Sequence, residues 1–244
     1  MNKNKVVIPF SGGMDSTVLC YLASEKFNEI HTLTFDYGQR HIKEIDCVDY
    51  HINALRARGV EITNKVIDVK FIKELIRTSS LLNDDIATPN VNDIKGEAQP
   101  NTYVANRNMM FLSMATAYSE ALCCSNVYIG SAQADSLAGY WDGSIEFLES
   151  VNKLLLLNRK NNVNVIAPLI NMSKKEIILE GVRLGVNFEK TWTCYAGNDL
   201  SDATTASSSL RLQGFIDAKL RDPLVYLQQE AINAQYIKHN CKYI

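Results

Sequence analysis

A chain of 244 residues, 46% hydrophobic and 21% charged, has the balance of an ordinary globular protein and is long enough to bury a sizeable core. With 25 Lys and Arg against 27 Asp and Glu, the net charge is −2, so the broad basic field of a nucleic-acid binder is missing and a small-molecule substrate is favoured. The six cysteines, at 20, 47, 123, 124, 194 and 241, show no C-x-x-C spacing, no apolar run approaches the roughly 20 residues of a membrane span, and MNKNKVVIPF does not read as a signal peptide. The expectation is a cytoplasmic protein with free thiols, no membrane association and no nucleic-acid partner.

In chain order, apolar strand-like runs alternate with amphipathic helical ones, the pattern of a layered α/β fold with a parallel sheet. Val6–Phe10 is the first predicted strand, followed by a helix with Val18, Leu19, Leu22 and Ala23 on one face. His31–Phe35 is the second strand, about Arg40 to Ala57 a polar helix, and Lys65–Val69 the third strand. A polar stretch over 78–100, broken by Pro89, Gly96 and Pro100, reads as a functional loop, a candidate lid over a water-sensitive intermediate. A long helix from about Asn106 to Leu122 precedes the strand Asn126–Gly130, and Val163–Pro168 is a last extended segment. In this reading Cys123 and Cys124 share a helix, with diverging side chains. Past Glu189 the periodicity weakens, then recovers as a helix from about Ser207 to Lys219. The expected division is 1–188 as the main domain and 189–244 as a small helical subdomain.

Chemistry begins at Ser11-Gly12-Gly13-Met14-Asp15-Ser16, between the first strand and the first helix. Two glycines allow a tight turn and close approach to an anion, and the helix N-terminus offers free N–H groups to phosphate. No Gly-Lys-Ser/Thr follows, and a third spaced glycine is missing, so this is neither a Walker A loop nor a dinucleotide fingerprint. The string resembles the pyrophosphate loop of the N-type ATP pyrophosphatases, which implies a Rossmann-like, adenine nucleotide alpha hydrolase-like sheet flanked by helices. It further implies ATP and Mg2+ as cofactors, with Asp15 helping to hold the magnesium.

Further strings follow in order: Phe35-Asp36-Tyr37-Gly38-Gln39-Arg40-His41 with Glu44; Asn101 to Asn108; Gly130-Ser131-Ala132-Gln133-Ala134-Asp135; Gly139-Tyr140-Trp141-Asp142; Ser173-Lys174-Lys175-Glu176; and Thr191-Trp192-Thr193-Cys194-Tyr195. Together they resemble the 7-cyano-7-deazaguanine synthase family across essentially the whole chain. The resemblance implies an AMP- and pyrophosphate-forming C–N ligase. It adenylates 7-carboxy-7-deazaguanine, adds ammonia to give the amide, and goes on to the nitrile. Carried over by position, Ser11, Gly12, Gly13, Met14, Asp15 and Ser16 bind ATP and Lys174 reaches its phosphates. Tyr37, Gln39, Arg107, Asn108, Asp135 and Asp142 are candidates for the base and its carboxylate, with Asp15, Lys174 and Arg107 as the catalytic set. His41 reads as a polar helix residue, and Phe111 with Met109-Met110 as core. A homodimer is expected from the family alone.

The chain departs from the family in two places. Of four zinc-binding cysteines only Cys194 remains; the other positions carry Asp202, Thr205 and Ser208, so a four-thiolate site cannot form and no structural zinc is expected. Trp141 and Ser144 stand where the family has proline and arginine, which is expected to reshape the acceptor side. Two alternatives stay open at this point. One is a paralogue passing the activated acyl group to another amine, such as a protein N-terminus in anti-phage defence. The other is a non-catalytic nucleotide-binding subunit, against which the intact loop and Lys174 argue.

Overall fold

The computed structural model describes residues 4–39, 43–83, 85–88, 99–133, 139–159, 162–194 and 200–244. Among them run five strands, β1 Lys5–Pro9, β2 Glu29–Asp36, β3 Glu61–Asp68, β4 Asn126–Tyr128 and β5 Asn164–Ile166. They form one parallel sheet in the order β3-β2-β1-β4-β5. The helices are α1 Met14–Ser24, α2 Lys43–Ala57, α3 Ile72–Leu75, α4 Arg107–Ala121, α5 Ile145–Leu155, α6 Lys174–Leu184, α7 Ala206–Asp217 and α8 Gln229–Lys238. None is long and apolar enough to cross a membrane, among the described residues.

Alternation along the central strand builds both faces of the core. Val6 and Ile8 of β1 point to one face, where α1, α2 and α6 supply Val18, Leu19, Ile52, Leu55, Ile177 and Ile178. Val7 points to the other, against Leu112 and Ala115 of α4 and Phe147 of α5. The strand order reverses direction between β1 and β4. At such a switch point the loops leaving neighbouring strands diverge and open a crevice at the carboxyl ends.

Three sequence expectations need correction. The third strand starts at Glu61, four residues before the expected Lys65. Among the described residues it pairs only with β2, and an edge strand tolerates the polar outward residues that hid its first residues from an apolar pattern. Cys123 and Cys124 lie beyond the end of α4: Cys123 turns in the left-handed region (φ 51°) and is exposed, while Cys124 is buried under the sheet. Helices α5 and α8 lie outside the elements marked by the apolar pattern, since much of their apolar surface, including Leu154 and Ile237, faces outward. The helix start expected at Arg40 and part of the 78–100 loop, namely residues 84 and 89–98, lie outside the described residues. The described ends of that loop are tied together by Ser80 N–H to the Asn101 carbonyl (2.9 Å) and Ser79 hydroxyl to the Thr102 carbonyl (3.2 Å).

The residues after 190 gather around a buried ion pair. Arg211, fully buried, donates to Asp222 through Nε (2.6 Å) and one terminal nitrogen (3.0 Å). Its other donors reach the Phe188 carbonyl, the Thr191 carbonyl and the Thr191 and Thr193 hydroxyls. Tyr226 donates its hydroxyl to Asp222 at 2.6 Å. Where the resembled family has thiolates, a polar cluster stands instead. Asp202 Oδ1 accepts from the Thr204 and Thr205 N–H groups and the Ser208 hydroxyl, and Cys194 Sγ lies 3.6 Å from it. Burial would push the Asp202 carboxyl up, but these donors outweigh it and hold it below the usual range.

Removing one partner of a buried, fully bonded pair leaves the other charge stranded in low dielectric. Asp222→Asn is therefore expected to cost about 3–5 kcal/mol, read as a lowered midpoint of urea unfolding. An unchanged midpoint would show that Arg211 finds other compensation.

Candidate active site

The crevice at the switch point is a cavity of ≈ 260 Å³. Its floor is the turn from β1 into α1. Gly12 adopts φ +84°, and a Cβ there would stand 2.0 Å from the Glu44 carbonyl oxygen, so only glycine fits. Gly13 caps α1, with Thr17 N–H donating to its carbonyl, which leaves the first N–H groups of the helix aimed into the crevice. The Ser11 and Ser16 hydroxyls sit 3.1 Å apart at its rim, and Met14 closes the turn from beneath with 1% exposure. Five of the six loop residues line the cavity, Gly12 alone lying behind the wall. The arrangement is an anion cradle made of backbone donors and hydroxyls.

Lys174 arrives from the far side of the fold. Ser173 and Glu176 form a reciprocal capping box, which sets Lys174 at the first position of α6. Gly214 of α7 packs so closely that an added Cβ would meet Lys174 Cβ at 2.8 Å. Thus held, Lys174 Nζ reaches Asp15 Oδ2 at 2.5 Å, with side-chain exposures of 11% and 22%. The expected lysine and aspartate are brought together, 159 residues apart in sequence. Asp15 Oδ1 is buried with no hydrogen-bond partner. An orphaned carboxylate oxygen beside a phosphate cradle suits a hard divalent cation. Among the described residues no cluster of three or more His, Cys, Asp and Glu side chains forms a metal-binding group.

The opposite wall carries four of the six predicted base-binding residues, Tyr37, Gln39, Arg107 and Asn108. Arg107, at the start of α4, donates to the Tyr37 hydroxyl (3.3 Å) and to Asn108 Oδ1 (3.3 Å). Tyr37 is buried, which pushes its hydroxyl pKa up, although the Arg107 charge opposes this. Gln39 lines the cavity, yet its amide is engaged in folding the end of β2, accepting from Tyr37 N–H and donating to the Phe35 carbonyl. Asp142 does not line the cavity. It is 2% exposed and stands behind Asn108, whose backbone N–H it accepts and whose side chain donates to the Asp142 carbonyl. Burial raises its carboxyl despite the Arg107 charge. Asp135 and His41 lie outside the described residues.

Several residues differ from their expected places. Phe111 packs against the core as expected but also lines the cavity, stacked on Phe35 with ring centroids 4.1 Å apart. Met109 is exposed rather than core. Trp141, 43% exposed, donates Nε1–H to the Tyr103 hydroxyl, and Ser144 caps α5. Tyr140, hydrogen-bonded to Thr102, and Thr193 complete the rim.

Sequence reasoning missed Glu44 as a site residue. It lines the cavity from the first turn of α2, 7% exposed, and accepts from the Ser11 hydroxyl. A signal was present: Glu44, Val48, Ile52 and Leu55 fall on one buried helix stripe, so an acid occupies an apolar face. Burial pushes its carboxyl up to about 8, with the Arg107 guanidinium and the Ser11 hydroxyl opposing and the Asp15 charge adding to the rise. Folding therefore takes up a proton here. Between the ordinary 4.5 and about 8 the folded state binds more protons than the unfolded one, so stability falls as pH rises through that window. Glu44→Gln is expected to flatten this slope when unfolding midpoints are measured across it; an identical slope would place the titration elsewhere.

The chain has relatives among known proteins. The family model described as "Queuosine biosynthesis protein QueC" matches residues 5–219. A protein of Colwellia psychrerythraea named 7-cyano-7-deazaguanine synthase 1 is 35% identical over 222 residues, spanning 91% of this chain and 98% of its own. The 7-cyano-7-deazaguanine synthase of Thermoplasma acidophilum is 36% identical over 249 residues, covering 99% of this chain and 100% of its own. Among solved structures, the NMN synthetase of Francisella tularensis matches 99% of this chain and 88% of its own with TM-score 0.51 at 16% identity, a likeness of fold. The loop, the lysine and the sheet order thus accompany sequence identity over nearly the full length, and the chain belongs to the QueC family of queuosine biosynthesis proteins.

Proposed function

We propose that the chain is a 7-cyano-7-deazaguanine synthase that uses ATP to activate 7-carboxy-7-deazaguanine and ammonia to convert it through the amide into the nitrile. The observation that carries this reading is one cavity with two unlike walls. An anion cradle at Ser11–Ser16 faces a guanidinium, Arg107, set beside an aromatic shelf of Phe35 and Phe111. The cradle suits ATP phosphates. The shelf suits a flat heteroaromatic base, and Arg107 suits a carboxylate attached to it. With ATP on one wall and the base on the other, the carboxylate oxygen would face the α-phosphorus.

In the first step that oxygen displaces pyrophosphate, giving an acyl-adenylate. The charge building on the departing phosphates is met by N–H groups at the start of α1 and by the ammonium of Lys174, paired with Asp15 at the cavity wall. A magnesium ion bound at Asp15 would supply further charge neutralisation across the phosphate oxygens. Ammonia then displaces AMP to form the amide. A second ATP activates the amide oxygen, and loss of AMP with the nitrogen's protons leaves the nitrile. Arg107 and Tyr37 keep the base oriented throughout. The buried aromatic wall limits water, which would otherwise hydrolyse the acyl-adenylate.

Purified protein with ATP, magnesium, 7-carboxy-7-deazaguanine and ammonium is expected to yield the 7-cyano base and AMP by mass spectrometry. Absence of both products would overturn the reading. Asp15→Ala and Lys174→Ala are each expected to lower pyrophosphate release by about 10²–10³-fold, the scale of removing one preorganised electrostatic contact. Near-normal release in both variants would place the adenylation chemistry elsewhere.

A further inference from the structure

Among the described residues the cavity wall carries two carboxyl groups, Asp15 and Glu44. Asp15 is paired with Lys174. Glu44 stands between the phosphate cradle and Arg107. Its backbone carbonyl lies under Gly12, its Oε1 would be 3.3 Å from a Cβ on Gly13, and its carboxyl accepts from Ser11. It feels the charges of both Arg107 and Asp15. This is an unfavourable place for an acid in a site built for anions, since a charged Glu44 repels both ATP phosphate and the substrate carboxylate. One reactant has the opposite need. The amine arrives in water as a cation, must shed a proton to become a nucleophile, and must reach the acyl carbon, which is formed between the cradle and Arg107.

We infer that Glu44 docks the incoming ammonium ion and accepts its proton at the acyl-transfer step; this deepens the reading under Proposed function and rests on it. The ammonium ion pairs with the Glu44 carboxylate and an N–H proton moves to Glu44, leaving ammonia with a free lone pair. That pair forms the new C–N bond while the bond from the acyl carbon to the adenylate oxygen breaks, its electrons leaving with AMP. The proton shed by the attached nitrogen departs with AMP, and Glu44 returns its own proton to solvent before the next turnover. A carboxyl held near neutral pH by burial can both take and release a proton in each cycle. The groups that interact with it include Arg107 from α4, Ser11 and Asp15 from the β1–α1 turn, Tyr37 after β2 and Cys47 of its own helix.

The test separates activation from transfer. With the full-length protein, ATP–pyrophosphate exchange dependent on 7-carboxy-7-deazaguanine reports adenylation, and amide plus nitrile formed at varied ammonium reports transfer. Glu44→Gln is expected to keep exchange within a few-fold while ammonium-dependent product falls by about 10²–10⁴-fold. Hydroxylamine, already neutral at the assay pH, should still trap the acyl-adenylate of the variant as hydroxamate. Should Glu44→Gln fail to fold, Glu44→Asp carries the test; it keeps the charge but draws the carboxylate back from the amine, and the same split is expected. Equal loss of exchange and product, no loss of either, or failure of hydroxylamine to react in an exchanging variant would each overturn the role of Glu44. A wild-type protein without exchange on this base would overturn the functional reading, and this inference with it.

Discussion

Three distant parts of the chain meet at Gly12-Gly13, and the site exists because they can approach there. The turn after β1 lies against the first turn of α2, with no room for a Cβ beside the Glu44 carbonyl. On its other side Trp192 N–H reaches the Gly12 carbonyl at 3.4 Å, bringing in the segment that runs on to Cys194. Any side chain at Gly12 would both strain a left-handed backbone and push α2 away. The same contact places an acid in the cavity and ties the C-terminal part of the chain to the phosphate cradle. Geometry at one glycine thus couples anion binding, the Glu44 environment and the packing of the last helices.

Among the described residues the C-terminal part joins an apolar cluster around Trp192, Ile216 and Tyr236 to a network of buried polar contacts. Arg211 donates to six oxygens on four residues, Asp222, Thr191, Thr193 and Phe188, and Asp222 in turn accepts from Tyr226 and the Leu224 N–H. Such a network is stable only when nearly every donor and acceptor is satisfied, because an unpaired buried charge costs several kcal/mol. The Asp202 cluster works in the same way on a smaller scale, one carboxylate oxygen gathering two N–H groups and two hydroxyls. Its reach matters for the site, since α7, which Thr205 and Ser208 begin, carries the Gly214 that braces Lys174.

Much of the fold was legible because its signals are local. All five strands overlap predicted segments, β4 and β5 lying wholly inside theirs, and the glycine turn reads as an anion site from its residues alone. Other features depended on partners far away in sequence. Gln39 and Asp142 were both expected to meet the base; Gln39 lines the cavity while its amide also folds the end of β2, and Asp142 holds Asn108 from behind. Nothing in their spacing distinguishes those roles, because hydrogen-bond partners are chosen by packing. Glu44 was the converse case, an acid on an apolar helix stripe whose importance shows only when that stripe is seen to border the cavity.

The amino-acid sequence by itself determined the alternating strands and helices, the anion-binding turn at Ser11–Ser16 and the family to which the chain belongs. These rest on local backbone preference, hydrophobic period and strings of neighbouring residues. Only the tertiary structure decided that Lys174 meets Asp15, that Phe35 and Phe111 stack into a shelf, and that Glu44 faces the crevice. Those are relations between elements, set by which faces pack together and how closely a glycine lets them come, and no linear pattern carries that distance.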